Sequence, residues 1–170
     1  RLGRIPEGVT YHEVEGMEYP LLKEFPYTLA LASKMAEVAR MKKLQVLHVH
    51  YAIPFAAAAV MARQIVPELD LKVVTTLHGT DVTLVGNNPS FKSVTKLSIE
   101  QSDYVTAVSD FLKDKTLSEF NVSSDIETIY NFIDPARYEP NCDCDPLQWS
   151  TEAKYTLMHI SNFRAVKRIP

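Results

Sequence analysis

The sequence predicts an α/β protein built on a parallel sheet with helices flanking it. Three observations carry that expectation. Short β-branched runs at 44–50, 71–77, 103–108 and 126–130 alternate with longer segments of helical period. The stretches between the runs are long enough for crossover helices, which is the pattern of successive βαβ units. The composition is that of an ordinary folded chain: of 170 residues 46% are hydrophobic, and 18 Lys+Arg against 21 Asp+Glu leave a formal net charge of −3. That is too much apolar matter for disorder, and the near-neutral balance gives no general positive field for gripping nucleic acid. No long uninterrupted apolar window occurs, so no membrane-spanning helix is expected. The length suits one domain, or one domain with a piece of another.

Taken in order, Val9 to Val14 alternates as a short strand would. Pro26 then opens a helix in which Tyr27, Leu31, Met35, Val38 and Met41 share a face; a first-turn proline is tolerated because its missing N–H had no partner to lose. Leu44 to His50 (LQVLHVH) is nearly continuous and β-branched, which predicts a strand covered on both faces. Pro54 starts an Ala-rich helix over 54–66. Leu71 to Leu77 (LKVVTTL) is the next strand, broken by His78-Gly79-Thr80-Asp81. Pro89-Ser90 opens a helix to Gln101, and Asp103 to Val108 (DYVTAV) is a strand. Ser109 is a good N-cap for a helix through Phe120. Ile126 to Tyr130 is a further strand.

Residues 134–153 change character, with Asp134-Pro135, Glu139-Pro140, Asp145-Pro146 and the Cys142-Asp143-Cys144 triplet. This stretch reads as a linker or inter-domain crossing, after which Tyr155 to Ile160 (YTLMHI) predicts a new strand. The expected organisation is therefore a domain over 1–133 that lacks its opening strand, a linker over 134–153, and the beginning of a second domain over 154–170. Cys142 and Cys144 lie one residue apart, a very small ring to close, and no further cysteine completes a zinc set. They read as loop thiols in a reducing cytosol. Arg1 is not an initiator and residues 1–20 hold no apolar run of a signal peptide, so the chain reads as an internal slice of a longer, cytoplasmic protein.

Ligands of an open parallel sheet sit at the carboxyl ends of its strands, where loops and helix N-termini converge. His50 and Tyr51, then His78 to Asp81, then Ser109, then Asn131 follow the four strands. Hydrogen-bonding groups at four strand ends predict one rim that lines a site. His48 and His50 are two apart and face the same side of a strand. His48 reads either as a core histidine satisfied by backbone or, with His50 and His78, as part of a zinc site, although no carboxylate has ligand spacing. Gly79 lets the backbone approach a ligand or take a positive φ; alternatively the turn is structural, with Thr80 or Asp81 as a cap. Ser109 can serve purely as an N-cap. Arg164, Lys167 and Arg168 fall in a stretch without acidic residues, suited to a phosphate or diphosphate or to a solvated basic loop. No GxGxxG, Walker, GxSxG or HExxH motif occurs.

The ordered set His48-Val49-His50-Tyr51-Ala52-Ile53-Pro54, Thr75-Thr76-Leu77-His78-Gly79-Thr80-Asp81, Val105-Thr106-Ala107-Val108-Ser109, Tyr130-Asn131-Phe132-Ile133-Asp134 and Ser161-Asn162-Phe163-Arg164-Ala165-Val166-Lys167-Arg168 resembles the retaining glycosyltransferases of the GT-B fold, and among them those of bacillithiol biosynthesis. The resemblance implies two Rossmann-like domains facing across a cleft, so that this chain would hold an incomplete N-terminal domain and the start of the second. It implies L-malate on the N-terminal domain, UDP-N-acetylglucosamine (UDP-GlcNAc) on the C-terminal one, and sugar transfer to the malate hydroxyl with retention and without a required metal. Carried over by position, Tyr51, Thr76, Gly79 and Asn131 would bind the acceptor, His78 would be catalytic, and Lys167 and Arg164 would face the donor diphosphate. His78 would orient and polarise more than act as general base, and the cations would take up charge on the leaving diphosphate. The implied partners are small molecules, with a homo-oligomer left open.

Phe55 stands where the family usually has histidine, Ala165 replaces a frequent proline, and Asn162 stands where broader relatives place arginine. The glycine-rich loop and the paired donor-domain glutamates are not among these residues, so the chain alone is expected to be inactive. Three alternatives stay open at this point: a related transferase with another small acceptor, such as an inositol or sugar phosphate; a non-catalytic Rossmann-like binding module; and a metal-dependent hydrolase built on His48, His50 and His78.

Overall fold

The computed structural model describes residues 5–17, 20–137, 157–161, 163 and 167–168. It divides into two compact units, Arg1–Asn131 and Phe132–Pro170. The first holds α1 (Tyr27–Lys42), β1 (Val46–His50), a π-type turn (Ala52–Ala56), α2 (Ala57–Ile65), β2 (Lys72–Leu77), a one-turn α3 (Thr80–Thr83), α4 (Pro89–Glu100), β3 (Tyr104–Ala107), α5 (Asp110–Phe120) and β4 (Ile126–Thr128). The strands form one four-stranded sheet in the order β1-β2-β3-β4. Every pair is parallel, and the register sets His50 beside Thr76, Thr76 beside Thr106, and Ala107 beside Thr128. This is the α/β, Rossmann-like parallel sheet with flanking helices that the alternating pattern predicts.

Local chemistry sets the element ends. Asn88 caps α4, its side-chain oxygen accepting from Ser90 N–H at 2.9 Å, with Pro89 in the first turn. Ser109 caps α5 by accepting from Leu112 N–H at 3.2 Å. Lys43 and Asn121 take left-handed conformations after α1 and α5 and direct their N–H groups back to the last helical carbonyls. Packing then fixes the layers. Ala32, Ala36 and Ala39 of α1 and Ala58, Ala59 and Ala62 of α2 are all at most 2% exposed, so two backbones approach closely where larger residues would hold them apart. Leu47, Val49, Val66 and Val73 cluster with Ala36, Ala39, Ala59 and Ala62, and Leu77, Ile99, Val105, Phe120 and Ile126 build another cluster.

Three expectations need correction. β1 is not covered on both faces: Leu47 and Val49 are buried while Val46, His48 and His50 are exposed. It is the end strand of this sheet, and the histidine face is open. The helical run expected from Pro54 is present: within Ala52–Ala56 only Ile53 is non-helical (φ −123°, ψ 131°), the extended conformation that a following proline ring enforces, and the segment leads directly into α2. Val9 to Val14 forms no strand, since no described strand edge pairs with it and an isolated strand leaves its backbone groups unbonded. Residues 157–160 form no strand either; Tyr155 and Thr156 lie outside the described residues, as do Cys142 and Cys144.

Candidate functional site

The loops after β1 and β2 are joined by a buried carboxylate. Asp81 is 2% exposed. Its Oδ1 accepts from the N–H groups of Gly79 at 2.8 Å and His78 at 3.2 Å, and its Oδ2 accepts from Ala52 N–H at 3.0 Å. Three backbone donors around one carboxylate are charge-assisted and strong. They hold the turn that carries His78 against the turn that carries Tyr51. Gly79 sits at φ 128°, ψ −68°, with nothing near the position a Cβ would take. Backbone conformation, not crowding, therefore demands glycine there.

On the open face of β1 and β2 four rings form a pile. His48 stacks on His50 (centroids 4.9 Å apart), His50 meets His78 (5.0 Å), and His78 meets Tyr51 (4.8 Å). Nδ1 of His50 lies 2.7 Å from Nε2 of His78, so one proton occupies that contact. Nε2 of His48 hydrogen-bonds Thr76 Oγ1 at 2.8 Å, which in turn hydrogen-bonds Thr106 Oγ1 at 2.8 Å. His48 is thus exposed and held by a side chain, not a core histidine satisfied by backbone. Partial removal of its ring from water lowers its pKa, and the neighbouring His50 charge adds to that. His78 is likewise lowered, first by burial and then by His50, with Asp81 pulling in the opposite direction. Both rings therefore favour the neutral form more than a free imidazole does.

Tyr51 adopts φ 77°, ψ 128°, a region costly for a residue with a Cβ, roughly 1–3 kcal/mol. Its N–H donates to Thr76 carbonyl at 2.8 Å and its carbonyl accepts from Ala56 N–H at 3.2 Å. These bonds hold the strained residue so that its ring lies against His78. A hollow of about 290 Å³ opens beside the pile, lined by Met35, His48, Val49, His50, Tyr51 and Phe55.

The structure thus brings together Tyr51, Thr76, His78 and Gly79. Thr76 lies below the rim, 9% exposed, with two of a hydroxyl's three hydrogen-bonding positions already used. Ser109 and Asn131 follow β3 and β4 along the same carboxyl edge, but neither makes a described side-chain hydrogen bond to the ring pile. Ser109 is engaged as a cap, and Asn131 is exposed. Beside them Tyr130 hydroxyl donates to Asp110 Oδ2 at 2.6 Å, an interaction that lowers the Asp110 pKa and raises that of Tyr130. Lys167 belongs to the second unit, where it is exposed, and Arg164 lies outside the described residues. Among the described residues no group of three His, Cys, Asp or Glu side chains is arranged to hold a metal ion. No described helix is long and apolar enough to cross a membrane. Sequence reasoning missed the Asp81–Ala52 tie and the His48–Thr76–Thr106 chain; the period-2 spacing of His48 and His50 was the available signal for the ring pile.

The sequence profile of Glycosyltransferase Family 4 matches residues 2–137. The chain is also 46% identical, over 172 residues, to the N-acetyl-alpha-D-glucosaminyl L-malate synthase of Bacillus anthracis, an alignment that covers 99% of this chain and 45% of that protein. The chain therefore spans less than half the length of that relative. The profile match covers most of the sheet-bearing unit, including every described strand and the histidine rim, and on that ground the chain belongs to Glycosyltransferase Family 4.

Proposed function

We propose that the protein to which this chain belongs transfers N-acetylglucosamine from UDP-GlcNAc to the hydroxyl of L-malate, in the cytoplasm, with retention of anomeric configuration and without a metal. The observation that carries the reading is the identity of 46% across 99% of the chain to a relative whose name states that product. The rim supplies a chemically suitable setting. In the step proposed, the bond from sugar C1 to the diphosphate oxygen breaks and a bond from C1 to the malate hydroxyl oxygen forms on the same face. The hydroxyl proton passes to the departing diphosphate.

In this reading the first unit is the acceptor side. Tyr51 and Asn131 offer a hydroxyl and an amide to a dicarboxylate, Thr76 keeps one hydroxyl position, and Gly79, whose N–H is given to Asp81, lets the backbone of the turn approach the acceptor closely. His78, favouring the neutral form, orients and polarises at the reacting centre. Lys167 and Arg164, from the stretch that begins the donor-binding domain, meet the diphosphate and take up its developing charge.

The test is direct. The full-length protein is incubated with UDP-GlcNAc and L-malate, UDP release is followed, and the product's anomeric proton coupling is read by NMR. UDP release that depends on malate, with an α-linked product, is the expected result. Release of UDP with a different small acceptor and none with malate would overturn the acceptor assignment, and an inverted product would overturn retention.

A further inference from the structure

We propose that His50 is a positioning residue: its Nδ1, 2.7 Å from Nε2 of His78, holds the His78 ring in one flip state and leaves His78 Nδ1 as the nitrogen that meets the substrate. The inference rests on the reading of His78 as the catalytic group and deepens it.

An imidazole can turn over about its Cβ–Cγ bond, which exchanges each nitrogen with a carbon. Ring packing alone does not distinguish the two states, because the shapes are nearly the same. Tyr51 lies against His78 with centroids 4.8 Å apart and a tilt of 39°, while His50 meets its Nε2 edge with centroids 5.0 Å apart and a tilt of 41°. The Tyr51 contact bears on the ring's plane. Only a hydrogen bond to a named nitrogen fixes which edge faces out, and His50 makes the one described side-chain hydrogen bond to His78. When both rings are neutral, one proton lies between them, and His78 Nδ1 is the ring nitrogen left to meet a ligand. His50 is itself aimed by β1, two residues beyond His48, whose ring stacks on it at 4.9 Å.

The titratable groups that face His78 are His50, with His48 behind it, from β1; Tyr51 from the following turn; and Asp81 from α3. Asp81 is already bonded to three backbone N–H groups, and among these groups His50 is the one in direct side-chain contact with a His78 ring nitrogen. After burial, the His50 charge is the next cause that lowers the His78 pKa.

The experiment uses the full-length protein with His50→Phe, which keeps a ring in the pile but no hydrogen-bonding nitrogen, and His50→Asn, which keeps a polar atom near the Nδ1 position. The expected result for His50→Phe is a fall in kcat of about tenfold or more, as for loss of a residue that orients another, with KM for each substrate within about threefold. His50→Asn recovers most of that loss. Independently of turnover, the His78 titration followed by NMR moves up in His50→Phe relative to the wild type, because the His50 charge no longer opposes protonation of His78. Unchanged kcat in His50→Phe, an equal loss in His50→Asn, or an identical His78 titration in wild type and His50→Phe overturns the inference. A wild type that does not use UDP-GlcNAc and L-malate sinks the proposed function instead, and the titration still decides whether His50 holds His78.

Discussion

The carboxylate of Asp81 accepts from the backbone N–H of Ala52, 29 residues earlier in the chain, at 3.0 Å. One side chain thereby joins the turns after two neighbouring strands, and the two rings that meet above it, Tyr51 and His78, are carried on those turns. Replacing Asp81 with alanine leaves three backbone donors, buried at Ala52 and half-buried at His78 and Gly79, without their partner. The expected loss is at least about 2 kcal/mol, since each orphaned group costs roughly 1–3 kcal/mol. Urea unfolding of the wild type and Asp81→Ala measures it, and Asp81→Asn, which keeps an acceptor oxygen, loses less.

Gly79→Ala tests the backbone of the same turn. The new methyl has space, so the cost comes from φ 128° alone and amounts to roughly 1–3 kcal/mol. Denaturant unfolding reads the loss. A substitution with no effect there would show that the turn reaches an ordinary conformation at little cost.

Acid sensitivity follows from the two lowered imidazoles. The folded-state pKa values of His48 and His78 lie below the ordinary 6.5, so the unfolded chain binds more protons just below that pH. Their contribution is fully present above 6.5 and is lost as pH falls through the window beneath it. Melting temperature measured from pH 8 to pH 5 is expected to drop below about pH 6.5. His48→Asn, which removes one of the two groups, flattens that slope.

Tyr130→Phe removes the hydroxyl that donates to Asp110. The Asp110 carboxyl is then expected to titrate nearer the ordinary 3.8, as followed by carboxyl carbon shifts in NMR. Both side chains face solvent, so the melting temperature should move little.

Chelation tests the metal-free reading. Malate-dependent UDP release by the full-length protein is expected to be unchanged by an excess of EDTA. Loss of rate that returns on adding a divalent cation would overturn that part of the proposal.

The sheet was legible because β-branched runs and helical periods alternate cleanly between Val46 and Thr128, and because Gly79 and Ser109 punctuate them where a turn and a cap are chemically required. What escaped was set by distance along the chain. Asp81 reads locally as a turn residue; that it also reaches Ala52 depends on β1 and β2 lying side by side. His48 read as a core residue because LQVLHVH is so apolar, yet at the end of the sheet only one side of the strand is buried, and period-2 spacing sends both histidines to the other. Ile53 shows the opposite case, where a purely local rule about the residue before proline keeps it extended just ahead of the helical Ala-rich run.

The six alanines between α1 and α2 have a consequence for the histidines. A seam made of methyl groups has almost nothing left to trim, so every substitution there except glycine adds bulk and acts as a wedge. Leu47 and Val49 belong to the same cluster as Ala36, Ala39, Ala59 and Ala62, and a wedge such as Ala36→Leu would lift the strand on which His48 and His50 stand. The smallest side chains in the molecule thus level the floor beneath its most reactive ones.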